Sequence, residues 1–82
     1  MTYISIEDVG TSPSGKTKRF EVRAKLGNDV LGHISWYAAW RKYCFAPLAK
    51  TFYEETCLRE IADYIVYETH MHNTNRANMI KQ

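Results

Sequence analysis

The chain has little of what marks a secreted, membrane-spanning or metal-holding protein. Its 82 residues include two cysteines, Cys44 and Cys57. That is no disulfide framework, so a reducing compartment is expected. No apolar run approaches the roughly 20 residues that cross a bilayer. The first residues, Met1-Thr2-Tyr3-Ile4-Ser5-Ile6-Glu7, lack a basic region followed by an apolar core, so no signal peptide is read there. A cytoplasmic protein without membrane contact is the expectation. There is no internal repeat and no low-complexity tract. The net charge of +2 is too small to announce a nucleic-acid protein; any such reading rests on where the basic residues fall.

Motifs of chemistry are scarce as well. Gly10-Thr11-Ser12-Pro13-Ser14-Gly15-Lys16 is rich in Gly and Ser. It lacks the Gly-Lys-Ser/Thr ending of a phosphate loop, and no helix signal follows, so it reads as an exposed linker. His70-Met71-His72 places two histidines at i and i+2, on different sides of a helix, which suits a polar helix end rather than a metal site. No Cys-x-x-Cys or His-x-x-x-His spacing occurs. No metal or other cofactor is expected. Cys44 and His33 fall opposite one another in the strand register argued below. An open sheet offers them neither pocket nor oxyanion donors, so no enzyme is expected.

What is present is alternation. Lys18 to Leu26 sets Phe20, Val22, Ala24 and Leu26 against Arg19, Glu21, Arg23 and Lys25, the period-two pattern of a half-buried strand. Thr2 to Asp8 reads as an earlier strand. Gly27-Asn28-Asp29 tolerates positive φ and predicts a hairpin. Strand three runs from Val30 to about Tyr37, and strand four from Trp40 to Ala46, ended by Pro47. Ala38-Ala39 makes a poor two-residue turn, which points to a longer loop. Thr51-Phe52-Tyr53-Glu54 fits a capping box ahead of a helix. Leu58, Ile61, Ala62, Ile65 and Thr69 form its apolar stripe. The helix is expected to end near His72, because Asn73-Thr74-Asn75 has poor helix propensity. The fold class is therefore α+β: an antiparallel sheet of about four strands with one C-terminal helix on one face. Residues 1–72 form a single domain, and residues 73–82 a flexible or frayed tail.

Turns at Gly27-Asn28-Asp29 and Ala38-Ala39 fix a register. One face then carries the rows Phe20–Trp36–Arg41, Val22–Ile34–Tyr43 and Ala24–Gly32–Phe45. It is expected to bury Phe20, Val22, Ile34, Trp36, Tyr43 and Phe45 against Leu58, Ile61 and Ile65. The other face carries Arg19–Tyr37–Trp40, Glu21–Ser35–Lys42 and Arg23–His33–Cys44, and nothing in the chain is long enough to cover it. Tyr37 and Trp40 there have the shape of a base-stacking platform, with Arg19, Arg23 and Lys42 to hold phosphates and His33 among them. The same face also suits a solvated surface, a homodimer contact or a protein-binding module.

The segment from Leu31 to Pro47 holds both tryptophans. With Thr51-Phe52 and Cys57-Leu58-Arg59-Glu60-Ile61-Ala62-Asp63-Tyr64-Ile65, it resembles a family of small proteins of tailed phages and prophages. The shared pattern is a Gly-x-Ile-x-Trp core, a Trp-Arg-x-Tyr-x-Phe-x-Pro strand and a Cys-Leu helix. The resemblance covers about Phe20 to Ile65. It implies a phage origin and expression in a bacterial cell, and it hands over no activity. In strand order alone the chain is similar to the coactivator and Whirly type of single-stranded DNA-binding sheet, a fold-level analogy. Single-stranded nucleic acid is thus the leading partner expected for the open face, and a host protein the alternative.

Overall fold

The computed structural model describes residues 3–80, with side chains through Thr74. Four strands, β1 (Ile4–Thr11), β2 (Lys18–Ala24), β3 (Val30–Tyr37) and β4 (Lys42–Pro47), precede one helix, α1 (Glu55–Ile80). The strands form one antiparallel sheet in the order β1-β2-β3-β4, and α1 packs on one side. This is the ββββα arrangement that the alternation predicts.

The faces divide as the alternation requires. Ile4, Phe20, Val22, Ile34 and Tyr43 are buried together with Cys57 and Ile61 of α1, and Trp36, Phe45, Tyr53, Tyr64 and Ile65 pack around them. Burial of these large side chains supplies most of the driving force for a chain this short. Phe20 meets both Tyr43 and Tyr64 edge-to-face, with ring centres 5.8 and 5.1 Å apart.

The cross-strand rows differ from those the turns suggest. Phe20 faces Ile34, and Ile34 faces Phe45; Arg19 faces Ser35, and Ser35 faces Cys44. Glu21 faces His33, which faces Ala46. Each interface is displaced by two residues from the expected register, so Cys44 does not oppose His33. The cause lies in the turns. The β2–β3 connection closes early, with the Ala24 amide donating to the Asp29 carbonyl and a register irregularity between Val22 and Arg23. The β3–β4 loop takes Ala38, Ala39, Trp40 and Arg41, so Tyr37 pairs with Lys42. A slip of two preserves the faces, because side chains alternate with period two.

Gly32 stands where backbone and ring approach most closely. A Cβ there would lie 2.6 Å from both the Ala46 carbonyl oxygen and the Phe45 ring. Phe45 therefore covers the glycine from a diagonal position, a known way of filling a gap in a sheet.

α1 differs in two ways from the expected helix. Its cap is Glu54, whose carboxylate accepts from the Cys57 amide at 2.7 Å, whereas Thr51 donates to the Leu48 carbonyl at 2.8 Å. The capping box on Thr51 does not form. The inward stripe also differs in part: Ile61, Ile65 and Thr69 turn inward as expected and are joined by Cys57, Tyr64 and His72, while Leu58 is 50% exposed and Ala62 is exposed. Both stripes have helical spacing. The one chosen sets Tyr64 against Phe20 and Thr69 against the β4 edge. The helix then continues past Asn73-Thr74-Asn75 to Ile80, because extending a formed helix through poor formers costs only about 0.5 kcal/mol per residue. Of the tail expected over 73–82, residues 81 and 82 lie outside the described residues.

Candidate nucleic-acid interface

The open sheet face is not uniform. At its centre Arg23 reaches Glu21 at 2.6 Å and Glu7 at 3.7 Å, and donates to the Asn28 carbonyl at 3.2 Å. His33 Nε2 stands 3.8 Å from the other Glu21 oxygen. Glu7 and Glu21 are cross-strand partners, and like charges directly opposite repel. Arg23 between them removes that cost. Arg23 and His33 are thus engaged with carboxylates in the middle of the face.

The other four expected residues gather at one end. β3 ends at Tyr37 and β4 starts at Lys42, so the two are paired across the last rung. The intervening loop folds Trp40 back onto Tyr37, with the rings edge-to-face at 4.9 Å. Trp40 is 68% exposed and Tyr37 48%. Such a pair is held by its quadrupoles, yet keeps π surface in water. Arg19 lies on the neighbouring strand, near the start of β2 at this same end, and is exposed. Among the described residues no ion pair involves Arg19 or Lys42.

Three further cations at this end escaped the sequence reading. Lys16 and Lys18 flank the close of the β1–β2 loop, and Arg41 sits in the β3–β4 loop beside Trp40. Five of the eleven basic residues thus cluster here: Lys16, Lys18, Arg19, Arg41 and Lys42. Loop ends at the same edge of an up-and-down sheet are the signal that could have found them. Arg41 holds φ 54°, a left-handed conformation that costs an L-residue roughly 1–2 kcal/mol and that glycine adopts freely. The conformation closes the loop, with the Arg41 amide donating to the Tyr37 and Ala38 carbonyls at 2.9 and 3.2 Å, at a position where glycine is usual.

On the helix side of this end lies a cleft of about 1110 Å³ between the β1–β2 loop, the β3–β4 loop and α1. Trp36 and Tyr43 contribute from the sheet, Tyr67 and His72 from the helix. His72 lies over Trp36 with ring centres 4.3 Å apart and planes inclined by 43°. The β1–β2 loop is held by the Ser12 amide on the Thr17 carbonyl and the Gly15 amide on the Ser12 carbonyl, both at 2.8 Å. These amides are therefore used internally, and the loop cannot cradle a phosphate with them as a phosphate loop does. The Lys18 amide donates to the buried Tyr43 hydroxyl at 3.1 Å, anchoring the loop's end to the sheet.

Among the described residues there is no group of three or more His, Cys, Asp or Glu placed to hold a metal ion, and no helix long and apolar enough to cross a membrane. Comparisons with protein families, curated proteins and solved structures return no match.

Proposed function

We propose that this protein binds single-stranded nucleic acid, without strong sequence preference, at the end of the sheet where Tyr37 and Trp40 meet Arg19 and Lys42. The observation that carries the reading is a pair of exposed, mutually supported aromatic rings, Tyr37 and Trp40, at the end of the open face where Lys42 pairs with Tyr37 and the exposed Arg19 lies on the neighbouring strand. Stacking on such rings tolerates any base, and the cations track the phosphates. Arg23 serves this surface from the middle of the face, by pairing with Glu7 and Glu21, which would otherwise repel the strand. The setting that goes with it is a small accessory protein of a phage, working in the bacterial cytoplasm.

Anisotropy of a labelled oligothymidylate tests the reading. Trp40→Ala should leave the fold intact and weaken binding by about 1–3 kcal/mol, the range for one stacked base. A wild-type protein that leaves the oligonucleotide free at high micromolar concentration would exclude it.

A second reading has its own observation. Leu58 and Val66 are 50% and 68% exposed on the outer side of α1, a pair of apolar side chains suited to a protein partner such as a host factor. A pull-down from lysate that survives nuclease treatment and is lost in Leu58→Glu supports that reading.

A further inference from the structure

We infer that the cleft between the β1–β2 loop and α1 is a second nucleotide subsite, which receives one nucleoside phosphate unit of the bound strand. This rests on the single-strand reading, because the cleft opens at the same end of the sheet as Tyr37 and Trp40, around the β3–β4 loop.

Charge and shape both point to this occupant. Lys16, Lys18 and Arg41 line the cleft against one carboxylate, Glu68. The walls are aromatic: Trp36 from β3 and Tyr67 from α1, with Tyr67 58% exposed. Tyr67 offers an exposed ring to a planar base beside the Trp36–His72 pair, whose ring centres lie 4.3 Å apart, and the phosphate is met by side-chain cations, since the Ser12, Gly15 and Lys18 amides are already bonded. The volume of about 1110 Å³ is that of an open groove rather than a closed small-molecule pocket. A unit within a continuing strand needs such openness at both ends. Arg41 links the two parts. It belongs to the cleft lining, yet neighbours Trp40 in the loop, so a strand leaving the Tyr37–Trp40 pair meets it next.

The two tryptophans make the cleft separately observable. Trp40→Phe keeps an aromatic ring on the platform and leaves Trp36 as the sole tryptophan. In this variant a 5′-phosphorylated dinucleotide and a short oligothymidylate are each titrated at low salt, reading Trp36 emission together with oligonucleotide anisotropy. The expected result is saturable quenching of Trp36 by both. Lys16→Ala with Lys18→Ala, in the same background, should weaken the dinucleotide at least about tenfold, the scale of a lost charge-assisted hydrogen bond. Oligonucleotide binding without any change in Trp36 would overturn the subsite and leave the single-strand reading standing. Quenching that the lysine changes do not weaken would also overturn it. Dinucleotide quenching without oligonucleotide binding would support the cleft as a nucleotide site and overturn the single-strand reading. Failure of both probes would overturn both.

Discussion

The backbone amide of Tyr43, on the outer edge of β4, donates to the Thr69 hydroxyl of α1 at 3.1 Å. An edge strand presents unpaired donors and acceptors to any passing chain. Here the helix bonds one of those donors, and Pro47 offers none at the end of the same strand. The face of α1 that brings Thr69 to this edge also seats Tyr64 on Phe20. One packing decision thus closes the core and protects the sheet.

Thr69→Val removes the acceptor while keeping the shape. The part-buried Tyr43 amide is then left unsatisfied, at a cost of about 1–3 kcal/mol. Urea denaturation should show that loss for Thr69→Val and little change for Thr69→Ser. Equal loss in both variants would mean that the contact is one of packing alone.

Arg41→Gly should separate stability from binding. Relief of the left-handed backbone offsets the entropy that glycine adds to the unfolded chain, for a net gain of about 0.5–1 kcal/mol. The urea midpoint should rise with an unchanged slope, while oligonucleotide affinity falls because a cation is lost. A variant both less stable and less active would place Arg41 in the fold rather than in the binding surface.

The division of faces was legible in the sequence because alternation in Phe20-x-Val22 and Ile34-x-Trp36 is a property of the strand itself. The rows were not legible, since they depend on where each turn closes. The β2–β3 turn closes at Ala24 and Asp29, and Arg41 adopts a left-handed conformation with no glycine to announce it. The helix offered two overlapping stripes. Leu58 outranks Cys57 in hydrophobicity, but Cys57 is small enough to sit 5% exposed beside Ile4 and Ile61 in the core. The proximity of Tyr37 and Trp40 was foreseen, although as cross-strand partners rather than through a loop that folds Trp40 back onto Tyr37. Lys16, Lys18 and Arg41 were not, because each lies in or beside a loop and shares no strand face with the others.

Acid should loosen the start of α1. The Cys57 amide bonded to the Glu54 carboxylate holds that carboxyl below its ordinary value of 4.5. A carboxyl whose folded pKa is depressed contributes stability above its unfolded pKa and loses it as pH falls through the folded one. Helix circular dichroism and urea midpoints should therefore decline below about pH 4, and Glu54→Gln should flatten that decline. An unchanged acid limb in Glu54→Gln would show that another group sets it.

The two thiols should differ in reactivity. Cys57 is buried, and desolvation pushes its thiol above the ordinary 9.0, so the nucleophilic thiolate is scarce. Cys44, on the opposite face of the sheet, is only partly covered. Alkylation of the native protein at neutral pH should label Cys44 first and Cys57 only on unfolding. Stability should also fall as pH rises past the range of a free thiol, because the unfolded Cys57 ionises before the folded one. Rapid native labelling of Cys57 would contradict its place in the core.

The most direct test of the central claim is the salt dependence of single-strand binding, measured by oligothymidylate titration across a series of salt concentrations. Binding at the basic end of the sheet predicts a linear fall of log affinity with log salt, with a slope of about 0.7 for each phosphate contact. Arg19→Ala and Lys42→Ala should each reduce that slope by about 0.7, while Arg59→Ala, on the far part of α1, leaves it unchanged. An affinity independent of salt, or a slope that Arg19→Ala and Lys42→Ala do not alter, would contradict the assignment of this surface to nucleic acid.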